Sequence, residues 1–173
     1  MEGINRDISV KTARFILNCA REAKAHTIVV EALDLGKKKR GSKKQRLHHW
    51  RARYVQAMVM NKAHRNGLRL SRVLARNTSR LAHDGSGEVT RGTYLQEGRE
   101  RKNYSICVFQ NGKTYNCDLN AALNIGARYY IREIIKPLSE TARSGMEAKV
   151  PSCRARATCT LSTLISLNAV LAA

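Results

Sequence analysis

The most informative stretch of this chain is Cys117-Asp118-Leu119-Asn120-Ala121-Ala122-Leu123-Asn124-Ile125. Its apolar residues recur at helical spacing, which predicts an α-helix from Asp118 to Ile135 that ends before Pro137. An aspartate therefore stands at the opening of a helix. Aspartate is a favoured N-cap and offsets the helix dipole, and it is also a ligand for divalent metals. Both roles are open for Asp118 on the sequence alone.

A second acidic residue, Glu31, follows the apolar run Thr27-Ile28-Val29-Val30. This β-branched run predicts a central strand from Thr27 to Leu33 with both faces covered. Ligands of open α/β sheets bind at the carboxyl ends of the strands, where Glu31 would lie. One carboxylate ending a strand and another opening a helix suit a metal-dependent phosphodiester nuclease, whose divalent ions are held by carboxylates. A loop or cap role is the alternative for Glu31.

The segments around this strand predict a crossover unit. Ile8 to Ala25 has helical spacing, with Ser9 as its N-cap, and Gln45 to Asn66 predicts a long helix closed by Gly67. The alternating run Leu68 to Leu74 predicts a half-buried strand. A strand, a helix and a second strand in this order predict two parallel strands and an α/β fold.

The remainder of the chain is less regular. Residues 77–102 are rich in glycine and poor in apolar residues, which predicts an inserted loop. Tyr104–Phe109 and Lys113–Cys117 flank Asn111-Gly112, which predicts a β-hairpin. A polar linker then leads to an uncharged segment, residues 158–173, which is too short to span a bilayer comfortably and predicts a packed terminal helix.

Net charge is the property of the composition that departs most from that of an ordinary globular protein. The 173 residues include 32 Lys and Arg against 13 Asp and Glu, a formal net charge of +19. This excess favours a nucleic-acid partner, because each cation that neutralises a phosphate releases a counterion. The basic residues are spread along the chain rather than clustered, so we expect no membrane partner. The predicted nucleic-acid-binding residues lie in a basic loop and the helix after it, a solvated loop being the alternative: Lys37, Lys38, Lys39, Arg40, Lys43, Lys44, Arg46, Arg51 and Arg53.

The cysteines and the N-terminus indicate a cytoplasmic protein. The first residues lack the apolar core of a signal peptide, and five cysteines at irregular spacing do not form a disulfide framework. No Cys-x-x-Cys pair occurs, so we expect no zinc site and interpret Cys153 and Cys159 as free thiols. Solvated or phosphate-facing roles are predicted for His48, His49 and His64.

Three segments in order carry a family resemblance: Thr27–Leu33, Asn77-Thr78-Ser79 and Asn116–Ile125. Over roughly residues 7–135 the chain resembles the C-terminal part of the transposon-associated TnpB (OrfB) proteins, which are relatives of the type V CRISPR nucleases. The resemblance implies an RNA-guided DNA endonuclease with a RuvC-like, RNase H-like domain that cuts DNA with Mg²⁺. Glu31 matches the glutamate of the family's second acidic motif, and Asp118 matches the aspartate of its third.

The resemblance also implies a division of the chain: nuclease parts over 1–76 and 117–136, an inserted zinc-ribbon-like region over 77–116, and a tail over 137–173. Ala82 and Gly85 stand where the family's first cysteine pair belongs, and Cys107 lies near the second, so the ribbon is expected to be degenerate. The family's first catalytic aspartate precedes the region matched here. We therefore expect an incomplete nuclease domain, little activity from the chain alone, and three partners: DNA, a guide RNA and a separate N-terminal half. A non-catalytic nucleic-acid-binding module is the alternative.

Overall fold

A computed structural model describes residues 2–33 and 52–173 of the chain, which fold into a mixture of α-helices and β-strands. They form two compact units, Met1–Arg72 and Val73–Ala173. The helices are α1 (Glu2–Glu22), α2 (Ala52–Arg65), α3 (Cys117–Ile135), α4 (Glu140–Lys149) and α5 (Leu161–Ala172). The strands are β1 (Thr27–Ala32), β2 (Arg69–Leu74), β3 (Thr90–Gln96), β4 (Arg99–Val108) and β5 (Thr114–Asn116).

In the first unit, α1 packs against α2. The buried stripe of α1 is Ser9, Ala13, Leu17 and Ala20, at the spacing that brings residues onto one side of a helix. The prediction that Ser9 caps this helix was wrong, because α1 begins at Glu2 and the Ser9 hydroxyl donates to the Asn5 carbonyl at 2.7 Å. A serine inside a helix can donate its hydroxyl to a carbonyl of the preceding turn, and the sequence alone does not distinguish such a serine from an N-cap.

The crossover prediction is confirmed in its coarse form, since β1 and β2 form a two-stranded parallel sheet. β1 is half-buried along most of its length rather than covered on both faces, whereas β2 alternates between exposed and more buried residues as predicted. Gly67, two residues after the end of α2, has a positive φ of 67°, the left-handed conformation that a helix C-terminus favours. The predicted first half of the long helix, residues 45–51, lies outside the described residues.

In the second unit, β3, β4 and β5 form an antiparallel sheet. The predicted hairpin around Asn111-Gly112 is confirmed, with Ile106 opposite Asn116 and Val108 opposite Thr114. Its base is buried in a small core of Ala82, Cys107, Phe109 and Cys117, against which Val89 and Tyr115 pack.

The loop predicted over residues 77–102 was wrong in its second half, because β3 and the start of β4 form a hairpin there. Glu97 and Gly98 form its two-residue turn and both have positive φ, as a type I′ turn requires. Nearly all residues of this hairpin are exposed on both faces, and Gly92 alone is buried in β3. The alternation of apolar and polar residues that reveals a half-buried strand is therefore missing from the sequence.

The predicted helix from residue 118 to 135 and the packed terminal helix are confirmed as α3 and α5. They share a core of Ala127, Ile131, Val150, Cys153, Cys159 and Leu167. The predicted polar linker contains a further helix, α4, whose N-cap Ser139 accepts a hydrogen bond from the Ala142 amide. No helix within residues 2–33 and 52–173 is both long enough and apolar enough to cross a membrane.

The exposure of the cysteines leads to a testable prediction. Cys19 on α1 is exposed, whereas Cys107, Cys117, Cys153 and Cys159 are buried. Burial, reinforced by the neighbouring Cys117, raises the pKa of Cys107 to about 11. We expect one of the five thiols to react rapidly with a disulfide reagent at pH 8, and a Cys19→Ser variant to lose that phase. Several rapidly reacting thiols in the Cys19→Ser variant would contradict the packing of the second unit.

Candidate functional site

Helix α3 begins immediately after strand β5, and Asn116 is its N-cap. The Asn116 Oδ1 atom accepts hydrogen bonds from the amides of Asp118 and Leu119, at 2.9 and 3.0 Å. The hypothesis that Asp118 itself caps the helix was therefore wrong, because the cap lies two residues earlier. Asp118 is the acidic residue of the first turn, where the positive end of the helix dipole stabilises a carboxylate.

The carboxylate of Asp118 is exposed and available to a ligand. It makes no hydrogen bond or ion pair with any residue in the described part of the chain. Since Asn116 already satisfies the helix end, the helix does not need this carboxylate as a cap. The side chain is thus held at a fixed point on α3 while its oxygens remain open.

Glu31 lies near the end of β1, as predicted, and its side chain is half-buried with interactions of its own. Two side chains of α2 fix the backbone here. Gln56 Nε2 donates to the Glu31 carbonyl at 3.0 Å, and Arg53 Nε donates to the Leu33 carbonyl at 3.2 Å. Helix α2 thereby sets the position of the strand end from which the Glu31 carboxylate projects.

The two predicted metal ligands belong to different units of the fold, Glu31 to the first and Asp118 to the second. Over the described ranges, no group of three or more His, Cys, Asp or Glu side chains comes together as a metal site.

Two asparagines of the opening motif form a buried polar network. Asn120 and Asn124 are fully buried, and both donate to the Leu81 carbonyl at 2.9 Å. Asn124 also donates to the Thr78 carbonyl at 3.0 Å and accepts from the Leu161 amide at 3.3 Å. These bonds tie the segment after Asn77 and the start of α5 to the helix that carries Asp118. A buried network of this kind orders a site only when all its members are satisfied, and no buried polar side chain among the described residues lacks a partner.

His83 extends this network. Its backbone amide donates to Asn120 Oδ1 at 2.8 Å, and its ring Nδ1 lies 3.1 Å from the same oxygen. The ring packs against Phe109 and Tyr115, with centroid distances of 5.3 and 4.8 Å. His83 is thus a core residue that links the β4–β5 hairpin to α3.

Arg128, one turn beyond Asn124, is 5% exposed and binds four backbone carbonyls. Its guanidinium donates to Leu74, Arg76, Ala157 and Cys159, at 2.6, 2.7, 2.9 and 3.0 Å. The planar guanidinium carries five N–H donors, so one side chain can join strand-end and tail carbonyls to the same helix. The structure therefore makes the segment before α5 an integral part of the second unit.

The two turns of the predicted ribbon-like region are joined by side chains. Asp84 Oδ2 accepts from Asn111 Nδ2 at 3.0 Å, and Asp84 Oδ1 accepts from the amide and hydroxyl of Ser86. Burial acts to raise the pKa of Asp84, but these hydrogen bonds and the nearby His83 lower it below its usual range. A lowered pKa contributes stability above the unfolded value near 4, and this contribution is lost as pH falls through the folded value.

Most of the predicted nucleic-acid-binding residues, from Lys37 to Arg51, lie outside the described residues. Arg53 is described, and its hydrogen bond to Leu33 makes it a residue that anchors α2 to the end of β1. His48 and His49 likewise lie outside the described ranges, and His64 is exposed in the last turn of α2.

Sequence reasoning missed the structural roles of Asn120, Asn124 and Arg128. The signal was present, since polar residues spaced by four along an otherwise apolar helix share one side of it. Such a row on a helix with a buried face indicates a polar network within the core. The partners are backbone carbonyls distant in sequence, which no residue pattern specifies.

Comparison with known proteins adds no identification. No protein-family model matches the chain, and no curated protein sequence matches it.

Proposed function

We propose that this chain is the C-terminal part of a transposon-encoded, RNA-guided DNA endonuclease, with an incomplete RuvC-like, RNase H-like domain. Glu31 and Asp118 are two of its metal-binding carboxylates, and a third carboxylate comes from a polypeptide outside these 173 residues. The reaction is hydrolysis of a DNA phosphodiester bond. The region over 77–116 corresponds to a ribbon-like insertion without zinc, in which the Asp84–Asn111 hydrogen bond joins the two turns.

The observation that carries this proposal is the arrangement at the start of α3. Asn116 caps the helix, and Asp118 in its first turn presents an exposed carboxylate. Farther along the helix, Asn120 and Asn124 hydrogen-bond to the segment that follows Asn77. The helix N-terminus has a carboxylate that it does not need for capping. A side chain held on a rigid element with its oxygens open suits a metal ligand.

Magnesium fits the donor atoms of these residues. Mg²⁺ prefers hard oxygen ligands and keeps several of its waters, so it needs only one or two protein carboxylates in addition to the substrate phosphate. Glu31 and Asp118 would each supply such a carboxylate, and Mg²⁺ when bound would polarise the phosphodiester and activate a water. Asp118 contributes a charge fixed by α3, while Gln56 and Arg53 hold the strand end of Glu31.

The test is reconstitution of cleavage. The chain is combined with the polypeptide encoded directly upstream of its first codon and with RNA transcribed from the flanking DNA. We expect cutting of matched DNA that requires Mg²⁺ and stops with a chelator, and no cutting by the chain alone. Cleavage by the complex that persists in excess chelator would contradict the metal assignment. A complex that binds RNA and matched DNA without cutting would contradict the nuclease assignment.

A second function, non-catalytic binding of nucleic acid, is favoured by the β3–β4 hairpin. Gly92, Tyr94 and Gln96 share one face of β3, since residues two apart in a strand project to the same side. Arg101 pairs with Tyr94 and Arg99 with Gln96 across the hairpin, and the Tyr104 ring lies over Gly92 while 81% exposed. Exposed aromatic rings beside cations are the means by which single strands are bound without sequence preference.

Replacing Tyr104 by leucine tests this second function. Loss of one stacked base costs about 1–3 kcal/mol, which corresponds to a fall in single-strand affinity of roughly 5- to 150-fold. The Leu95→Ala variant is the matched control, because Leu95 is also exposed on β3 but offers no ring. Equal affinity of the Tyr104→Leu and Leu95→Ala proteins, measured by fluorescence anisotropy, would exclude stacking on this hairpin.

A further inference from the structure

The first unit contains a basic cleft between its two helices. Leu17 and Ala20 of α1 pack with Ala63 of α2, and beyond this contact the helices leave a cavity of about 210 Å³. Leu17 lines its apolar part. We call this cavity the α1–α2 cleft.

The polar lining of the α1–α2 cleft has one sign of charge. Arg14 and Arg21 come from α1, Lys62 and Arg65 come from α2, and the carboxamides of Asn18 and Asn66 complete the lining without any acidic residue. None of these four cations forms an ion pair within the described part of the chain. Four positive charges therefore converge on one opening with no compensating carboxylate.

One of these cations is held in place. The Arg21 guanidinium donates to Asn66 Oδ1, and Asn66 Nδ2 donates to the Lys62 carbonyl at 2.6 Å. Asn66 thus connects the end of α2 to Arg21 of α1 across the cleft. An arginine fixed in this way loses less rotamer freedom when it binds an anion.

The negative ends of the two helix dipoles offset only part of the positive charge of the cleft. Arg21, Lys62 and Arg65 lie in last turns, where cations offset the negative helix end. Each end carries about half an elementary charge, so two ends offset about one of the four cations. Arg14 is two turns from the end of α1, beyond the range of the effect. About three positive charges remain for a ligand.

We propose that the α1–α2 cleft binds the phosphodiester backbone of a nucleic acid, with Arg14, Arg21, Lys62 and Arg65 contacting its phosphates. The inference rests on the proposed function as a nucleic-acid enzyme and assigns it a binding surface separate from the carboxylates. Three of the cations are exposed long side chains, so a small solvated anion gains little at this open site. A polyanion gains the release of one condensed counterion for each phosphate that is neutralised.

The experiment compares two double variants of the full chain. Arg14→Gln with Arg65→Gln removes two charges from the cleft, and Arg6→Gln with Lys24→Gln removes two exposed charges from the same unit outside it. Binding of fluorescent 20-nucleotide single strands of RNA and of DNA is measured between roughly 50 and 300 mM salt. Each phosphate contact contributes about 0.7 to the log–log salt slope of a single strand. Because two contacts are removed, the log–log salt slope of the cleft variant should be smaller by about 1.4, and the slope of the control variant should be nearly unchanged.

Equal slopes for the two variants would overturn the proposal, because the charge would then act diffusely. A cleft variant that loses binding to phosphatidylserine vesicles but keeps its oligonucleotide slope would overturn it in favour of a membrane surface. Reconstituted cleavage is measured separately as the distinguishing arm, because it tests the carboxylates and not the cleft. A reduced oligonucleotide slope in the cleft variant, with the slope of the control variant retained, supports the cleft whether or not cleavage is reconstituted.

Discussion

Replacing Asp118 by asparagine is expected to reduce the proposed magnesium-dependent cleavage by the reconstituted complex roughly a thousandfold. Asparagine is isosteric and keeps the helix geometry, because the cap of α3 is Asn116 and not Asp118. The change removes one negative charge from an exposed carboxylate that has no partner among the described residues. A neutral amide oxygen binds Mg²⁺ weakly, so the loss is one of metal affinity and charge. The rate of cutting is measured in single turnover at several Mg²⁺ concentrations.

The matched control for this prediction is Glu140→Gln. Glu140 is also an acidic residue in the first turn of a helix, α4, and is exposed. It experiences the same helix-end electrostatics but is not a predicted ligand. Cleavage should remain near the unmodified rate with Glu140→Gln, and thermal unfolding should be nearly unchanged in both variants. Cleavage by the Asp118→Asn protein at the unmodified rate would contradict the assignment of Asp118 as a metal ligand.

Replacing Arg128 by methionine is expected to lower the free energy of unfolding of the second unit by about 4 kcal/mol. Methionine has similar length and fills much of the same space, so the change isolates the loss of hydrogen bonding. Four carbonyls, two from residues 74 and 76 and two from the segment before α5, lose a charged donor. Hydrogen bonds to charged groups contribute about 1.5–3 kcal/mol each, and stranded buried acceptors add a penalty.

Urea unfolding followed by circular dichroism measures this effect, and amide hydrogen exchange assigns it to the second unit. Arg143→Met is the matched control, since Arg143 is exposed on α4, and such a surface change shifts stability by about 0.5 kcal/mol or less. Faster exchange should appear in α5 and around residue 76 in the Arg128→Met protein. The same unfolding midpoint in the two variants would show that the carbonyls find other donors.

The regular elements of this fold were largely predictable. The apolar spacing of α1, the β-branched run of β1, the alternation in β2 and the Asn-Gly turn between β4 and β5 each follow local rules of periodicity and turn chemistry. The β3–β4 hairpin was not predictable in this way, because its residues are exposed on both faces and carry no alternation. Helix α4 was hidden for the same reason, since none of its residues is buried.

The residues of the candidate site likewise divide into those that the sequence predicts and those that it does not. Sequence and resemblance select Glu31 and Asp118, because a carboxylate at the end of a strand or the start of a helix can be recognised from the sequence alone. The cap at Asn116 could have been found from its position before the helix, where asparagine is favoured. The α1–α2 cleft could not, because its cations come from segments more than 40 residues apart and only packing of the helices brings them together.

Three properties followed from the amino-acid sequence alone: a carboxylate stands in the first turn of α3, β1 and β2 are parallel, and the chain is strongly basic. These properties depend on residue identity and on spacing within a few turns or strands. The burial of Asn120, Asn124 and Arg128 in the core and the exposure of Asp118 became known from the packing of the folded chain. Buried polar groups must find hydrogen-bond partners, and here those partners are carbonyls and amides 29 to 54 residues away in the chain.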